Sequence, residues 1–585
     1  MDGDQIFRTY WRTEQSGEIF RWEDVSDRML WSAIVGSDSV VAVGYKPEKL
    51  LDLEGKWEEL DIQTYDWQYA RAYTLGYVLN ELKRLSSHGN IEETDILFYE
   101  PKYLPILYLK VADYETLAKV RRLPTVRYLE AYGFDPEIYR GGVLRTGCGN
   151  GRDNGLDTSI HTFLVDANNR ASWHIGPDGH RVTNAWNNPD CPQGDNIEVA
   201  VIDTGVDTDN DQLNAGFDAG QSAGRAINYV NTYFPAIQGN DTDDRCGHGT
   251  RIAAMLAHPR GNDGGIVGIA YRADLKVYRT GDDVNLTSSQ GTAVVSAFED
   301  AAEDNSVDII SMSMGSALSR PTLEDAVKYA YGHGKLIFLA AGSAAGIGLY
   351  PARTCTTESV ACTAIQYDED NPNALDRVSN AAIGNFVDFA VYMQTDNGNG
   401  GGKPYAITSK REDGGDFAWS QQTSGATATC AGIAALVWSV EPTLNRSEVQ
   451  DILIASSTLG VNRDPDYGHG IINAEEAVNE AVARTNAPPP LLVQVMGPTN
   501  LTSSGTYTWT ASVNGNGAPT SNLRYRWNNG PLTTSSTFST FITVPTGSTT
   551  VDDITVEVIE QGGLNRMASG GITYVAGNLA GGVQI

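Results

Sequence analysis

Hydrophobic positions along this chain fall into three rhythms, and each predicts its own kind of structure. Near-continuous apolar runs at 40–45, 197–202, 307–315 and 336–342 read as strands, and that at 197–202 suits a parallel sheet covered on both faces. Between them apolar residues recur at helical spacing: Leu75, Val78, Leu79, Leu82 and Leu85 in one stretch, then 292–302 and 322–331. Alternating strands and helices in the middle of the chain predict an α/β fold, a parallel sheet with right-handed crossovers. Beyond 490 the pattern changes to short β-forming runs at 506–511, 523–527, 538–544 and 553–559, parted by turn signals.

These rhythms divide the chain. Residues 1–37 show no clear period and stay unassigned as an N-terminal extension. Over 38–135 a strand and a helix are followed by two strands, at 96–99 and 106–110. A short helix that Asp113 can cap then ends before Pro124, and a last strand fills 126–130. The order β-α-β-β-α-β is the ferredoxin-like α+β arrangement. Residues 136–177, rich in Gly, Asn, Asp and Arg, predict a linker. Trp173-His174-Ile175 and Ala185-Trp186-Asn187 lead into a central domain at 178–486. Ala487-Pro488-Pro489-Pro490 marks a stiff boundary before an all-β region at 491–585.

Composition narrows the function. A length of 585 residues exceeds what one core supports, so several domains are expected. The net charge of −31 excludes nucleic acid as a partner, because phosphates would be repelled. No run of about 18 consecutive apolar residues predicts a transmembrane segment, and no signal peptide is visible at the start. The cysteines are Cys148, Cys191, Cys246, Cys355, Cys362 and Cys430, too few for a disulfide scaffold. Cys355 and Cys362 are close enough in sequence to close a small loop, while Cys430 reads as a core thiol.

Candidate chemistry sits at three points. The run at 197–202 ends in Asp203-Thr204-Gly205, a carboxylate at the strand end where open α/β sheets place their sites. Cys246-Gly247-His248-Gly249-Thr250 opens a small-residue helix whose glycines leave room around the imidazole. Gln422-Thr423-Ser424-Gly425 opens a helix of tiny and apolar residues, suited to a nucleophile and equally to an ordinary capping serine. Each motif alone is weak. In the order Asp, His, Ser they resemble the subtilisin family of serine proteases, as does Tyr467-Gly468-His469-Gly470 before Asn473-Ala474.

The resemblance implies a subtilisin-like serine endopeptidase acting on polypeptide substrates. Ser424 would be nucleophile, His248 general base and acid, and Asp203 the group orienting the imidazole. Ser313, Met314 and Gly315 would pair with extended substrate, and Ala341, Gly342 and Leu349 would line an uncharged pocket for an apolar or aromatic side chain. The chemistry needs no cofactor. Structural calcium is frequent in the family, and 258–265 carries oxygen ligands, but a plain surface turn explains it equally and no metal residues are assigned. The ferredoxin-like unit resembles the family's inhibitory propeptide through Leu123-Pro124-Thr125-Val126, which implies an intramolecular inhibitor and self-cleavage within 132–139. The last region resembles immunoglobulin-like modules of bacterial surface and secreted enzymes, which implies an extracellular or cell-surface setting.

Three positions depart from the family. Ser343 stands where an asparagine amide serves the oxyanion hole, and loss of such a donor costs about 3 kcal/mol of transition-state stabilisation. Gln422 replaces the usual glycine before Thr423-Ser424, and Ala428 the usual proline after it. They keep open a second reading, an inactive or slow scaffold with a structural or binding role.

Overall fold

The computed structural model describes residues 8–9, 12–13, 18–35, 39–51, 53, 55–85, 91–134, 162–233, 240–261, 266–286, 288–343, 348–368, 370–371, 374–395, 403–407, 418–420, 422–485, 491–514, 516, 520, 522–545, 549–561 and 566–577. The chain divides into two compact units, Met1–Val482 and Ala483–Ile585.

The first unit begins with α1 (Asp27–Val35), β1 (Val40–Tyr45), α2 (Tyr65–Leu85), β2 (Leu97–Tyr99), β3 (Ile106–Lys110), α3 (Tyr114–Val120) and β4 (Val126–Ala131). Its sheet runs β2-β3-β1-β4, antiparallel throughout, the strand order of the split βαβ arrangement. The central β1 is buried along its whole length, and Asp113 caps α3 by accepting the Thr116 N–H at 2.8 Å. Helix α1 lies in the stretch without a readable period. It buries Leu30, Ala33 and Ile34, and the Arg121 guanidinium fastens the chain before it by donating to the carbonyls of Trp22, Glu23 and Val25.

The central sheet comprises β5 (Glu198–Asp203), β6 (Ile227–Asn231), β7 (Asp274–Arg279), β8 (Val307–Met312), β9 (Leu336–Ala340), β10 (Val360–Tyr367), β11 (Phe389–Thr395), β12 (Lys403–Ile407) and β13 (Ala418–Ser420). Their order is β13-β12-β11-β10-β9-β8-β5-β7-β6, parallel from β11 to β6, with β12 and β13 paired antiparallel at one edge. The helices that position the site are α4 (His248–Ala257), α5 (Ser288–Glu303), α6 (Pro321–Gly332) and α7 (Thr423–Val440).

Side chains alternate across the sheet, so each strand serves two cores. Ala200 and Ile202 of β5 join α5 and α6, whereas Val199 and Val201 join α4 and α7. That explains why these strands read as unbroken apolar runs. Helix α7 is buried on nearly every side. Among the described residues it is the one helix long and apolar enough to cross a membrane, and 89% of it lies inside the fold, as befits a core helix.

The N-terminal sheet packs on α5 and α6 through the same core. Charged contacts fix the register. Arg127 donates two hydrogen bonds to Asp325, at 2.6 and 2.8 Å, and the Tyr128 hydroxyl donates to the same carboxylate. Buried Glu130 accepts from Arg320 and from the Thr322 N–H and hydroxyl. Glu299 of α5 accepts the backbone N–H groups of Lys102, Tyr103 and Leu104, and burial pushes its carboxyl up to about 7.

The second unit holds two sheets around one core containing Trp509, Trp527 and Tyr574. One sheet joins Leu492–Met496, Gly505–Asn514 and Thr537–Ile542; the other joins Asn500–Leu501, Met567–Ala576, Thr550–Glu560, Leu523–Trp527 and Leu532–Thr533.

The cysteines correct one expectation. Cys355 and Cys362 do not close a loop: both thiols are free and buried, and burial raises each well above the ordinary cysteine value. Cys430 is free and buried as expected, and Cys246 takes part in a disulfide.

Candidate active site

Two of the three sequence candidates meet directly. Asp203 closes β5 at the C-terminal end of the parallel sheet, fully buried, and His248 is the first residue of α4. His248 Nδ1 lies 2.7 Å from Asp203 Oδ1, and because an ionised carboxylate only accepts, Nδ1 carries the proton. The Thr204 N–H donates to the same oxygen at 2.8 Å. Asp203 Oδ2 is buried with no hydrogen-bond partner among the described residues.

The glycines around His248 make this approach possible. Gly247 adopts φ +78°, a left-handed conformation that side chains resist, just before the helix. A Cβ on Gly249 would stand 2.2 Å from the Gly205 carbonyl oxygen, so only glycine lets the helix start touch the turn after Asp203. Asp244, which no sequence motif flagged, sits buried between these segments and accepts hydrogen bonds from both.

Ser424 lies in the first turn of α7, half-buried, on the residue after Thr423. Its hydroxyl donates to the Ser313 carbonyl at 3.3 Å, while the Ser313 hydroxyl donates to the Ser424 carbonyl at 3.0 Å. Ser313 follows β8, beside β5, so the serine stands at the same end of the sheet as Asp203. Among the described residues no hydrogen bond joins Ser424 Oγ to His248; the serine hydroxyl is directed at Ser313.

Ser343 is drawn into the helix start. The Thr423 N–H donates to Ser343 Oγ at 3.3 Å, and the two side-chain oxygens are 2.9 Å apart. Thr423 Oγ1 also accepts the Gly342 N–H at 3.2 Å, so the two hydroxyls and two backbone N–H groups form one small network. Gln422, in the capping position, makes no side-chain cap bond, and Ser343 takes over part of that work. Ala428 is fully buried one turn further on.

The expected substrate edge is occupied from within the chain. Gly315 N–H donates to the Val284 carbonyl at 3.3 Å, and Leu286 N–H donates to the Gly315 carbonyl at 3.0 Å. Leu349 packs so close that a Cβ on Gly315 would lie 2.8 Å from it, and its N–H donates to the Ala341 carbonyl at 2.8 Å. Met314 is buried, its sulfur accepting from the Thr280 hydroxyl. Thus Gly315, Leu349 and Ala341 do come together, but as a closed arrangement.

Of the stretch 132–139, residues up to 134 are described and 135–139 lie outside the described residues, as do 262–265 of the calcium candidate loop. Among the described residues no group of three or more His, Cys, Asp or Glu gathers to hold a metal ion.

Residues 194–475 match the subtilase family. A subtilisin from a Bacillus species is 30% identical over 274 residues, covering 45% of this chain and 62% of the relative. M-protease of Shouchella clausii is 30% identical over 292 residues, covering 48% of this chain and 64% of the relative. The chain therefore spans less than two thirds of these relatives. Among solved structures, fervidolysin from Fervidobacterium pennivorans, described as a keratinolytic enzyme related to subtilisin, aligns with a TM-score of 0.50 at 14% identity. That alignment covers 92% of this chain and 76% of the other, and it is a likeness of fold.

Proposed function

We propose that the chain is a subtilisin-like serine endopeptidase made as a self-inhibited zymogen. Ser424 attacks the peptide carbonyl; His248 takes its proton and returns it to the leaving amine; Asp203 fixes the tautomer and stabilises the imidazolium. The observation that carries this reading is the 2.7 Å bond from His248 Nδ1 to buried Asp203, at the sheet end where Ser424 stands. The N-terminal ferredoxin-like unit acts as intramolecular inhibitor, docked on α5 and α6, with self-cleavage in the stretch that follows Tyr132. The two-sheet C-terminal unit serves as an immunoglobulin-like module of an extracellular or cell-surface enzyme. The uncharged lining of Ala341, Gly342 and Leu349 selects apolar or aromatic side chains before the cut.

A second reading, an inactive or slow scaffold, is favoured by one specific arrangement: Ser343, the oxyanion-hole candidate, is bonded to Thr423. One experiment separates the two. A fluorophosphonate probe is applied to the purified chain, and to the chain after removal of the N-terminal unit, alongside Ser424→Ala. Labelling lost in Ser424→Ala supports the protease; no labelling in either form supports the scaffold. Peptides with Phe, Leu or Arg before the cut then test the pocket, and fastest cleavage after Arg would refute its apolar preference.

A further inference from the structure

We propose that Asp244 is a positioning residue that clasps the helix start carrying His248 to the strand end carrying Asp203, and so sets the bond between them. The inference rests on the protease reading of those two residues.

Asp244 is buried, and its carboxylate gathers five donors. Oδ1 accepts from the Thr204 hydroxyl at 2.8 Å, the Cys246 N–H at 3.0 Å and the Gly247 N–H at 2.7 Å. Oδ2 accepts from the Thr250 N–H at 2.9 Å and the Thr250 hydroxyl at 2.7 Å. The two threonines come from opposite sides of the site, and each is used twice. Thr204, after Asp203, gives its proton to Asp244 and accepts the Gly249 N–H at 2.9 Å. Thr250, on the helix, gives its proton to Asp244 and accepts the Asp207 N–H at 2.8 Å. Strand end and helix start are thus cross-linked in both directions, and one carboxylate orients both links.

The orientation matters because a hydroxyl has a single proton. Thr204 Oγ1 also lies 3.3 Å from Asp203 Oδ1, the oxygen that holds His248 Nδ1. With Asp244 in place the Thr204 proton points away from Asp203. Without that carboxylate it turns to Asp203 Oδ1 and competes with the imidazole for the same oxygen. A plain helix cap would have no such reach.

The test uses the full chain and reads the His248–Asp203 bond itself, so it does not depend on protease activity. The low-field Nδ1 proton of His248 is followed by NMR in the wild type, Asp244→Asn and Thr204→Val, with melting temperatures alongside. The expected result is an upfield shift or loss of that proton in both variants. Where Ser424-dependent turnover is present, kcat falls about 10- to 100-fold and KM changes by no more than about twofold, as for a misplaced base. An unchanged proton in both variants, with only the melting temperature lowered, overturns the proposal and leaves Asp244 a helix cap. Should Asp244→Asn fail to fold, Thr204→Val decides alone: it removes the acceptor of Gly249 N–H, and an unmoved proton there refutes the clasp. Failure of the protease reading would show separately, as absent Ser424-dependent labelling beside an intact His248–Asp203 signal.

Discussion

The two halves of the candidate site are built in opposite ways. On the acid–base side, Asp203 and His248 are already joined at 2.7 Å, and glycines and threonines lock the turn against the helix. On the nucleophile side three groups are committed elsewhere: Ser424 Oγ to Ser313, Ser343 to Thr423, and Gly315 to Val284 and Leu286. The first half is preorganised and has nothing to give up during a reaction. On the protease reading, the second must exchange internal hydrogen bonds for bonds to substrate, at about 1 kcal/mol each, before it can work. Rate in such a site is governed by the half that has to rearrange.

That contrast can be broken or sharpened by experiment. The largest effect belongs to Ser424→Ala, which is expected to lower kcat about a millionfold in peptide hydrolysis; a small loss would remove the serine from the chemistry. Asp203→Asn should leave the fold intact yet cost roughly 10⁴ in kcat, because the imidazole is then held in the wrong tautomer. Ser343→Asn should act the other way. An amide that reaches past Thr423 supplies the missing donor, and a gain of about a hundredfold in kcat is expected. An unaltered rate would mean that the nucleophile half is limited by its closed edge and not by its donors.

The smallest effect reaches the same half from outside and is one of stability. Glu299 lies on α5, the helix that follows the 284–286 edge, and holds the docked N-terminal unit. Burial raises its carboxyl to about 7, so the docked form binds a proton that an exposed glutamate gives up near its ordinary value of 4.5. This contribution is therefore fully present below about pH 4.5 and is lost as pH rises through about 7. Melting temperature should fall by a few degrees more from pH 5 to pH 8 in the wild type than in Glu299→Gln, which keeps only the slope of groups such as Asp308, raised by burial to about 6. Equal slopes in the two proteins would separate docking from this carboxylate.

Much of the frame could be read from sequence because burial on two faces leaves an unmistakable trace. The run at 40–45 matches β1 at both ends, and Asp113 caps α3 as its position suggested. The three motifs lie where strand ends and helix starts converge, so their order along the chain carried spatial information. Helix α1 left no such trace: with three buried side chains in nine residues it is too short to show a period, and it is held by an arginine almost a hundred residues away. Asp244 was hidden for a different reason. Three of its five donors are backbone N–H groups, and a turn that aims amides at one carboxylate has no signature in residue types. The pairing of Gly315 with 284–286 was likewise invisible, since backbone edges are anonymous in sequence. The loop between Cys355 and Cys362 failed as an expectation because nearness along the chain says nothing of direction.

Helix α7 has one more consequence. From Thr423 to Ser439 every residue except Ser424 is buried, so no polar face exists on which it could rest in water. Such a helix gains its stability from neighbours on all sides and cannot stand before them. The sheet and both covering layers must therefore be in place before the serine reaches its position. On the protease reading, a nascent or half-collapsed chain carries Asp, His and Ser but cannot cut, so its siblings are safe from it while they are still unfolded.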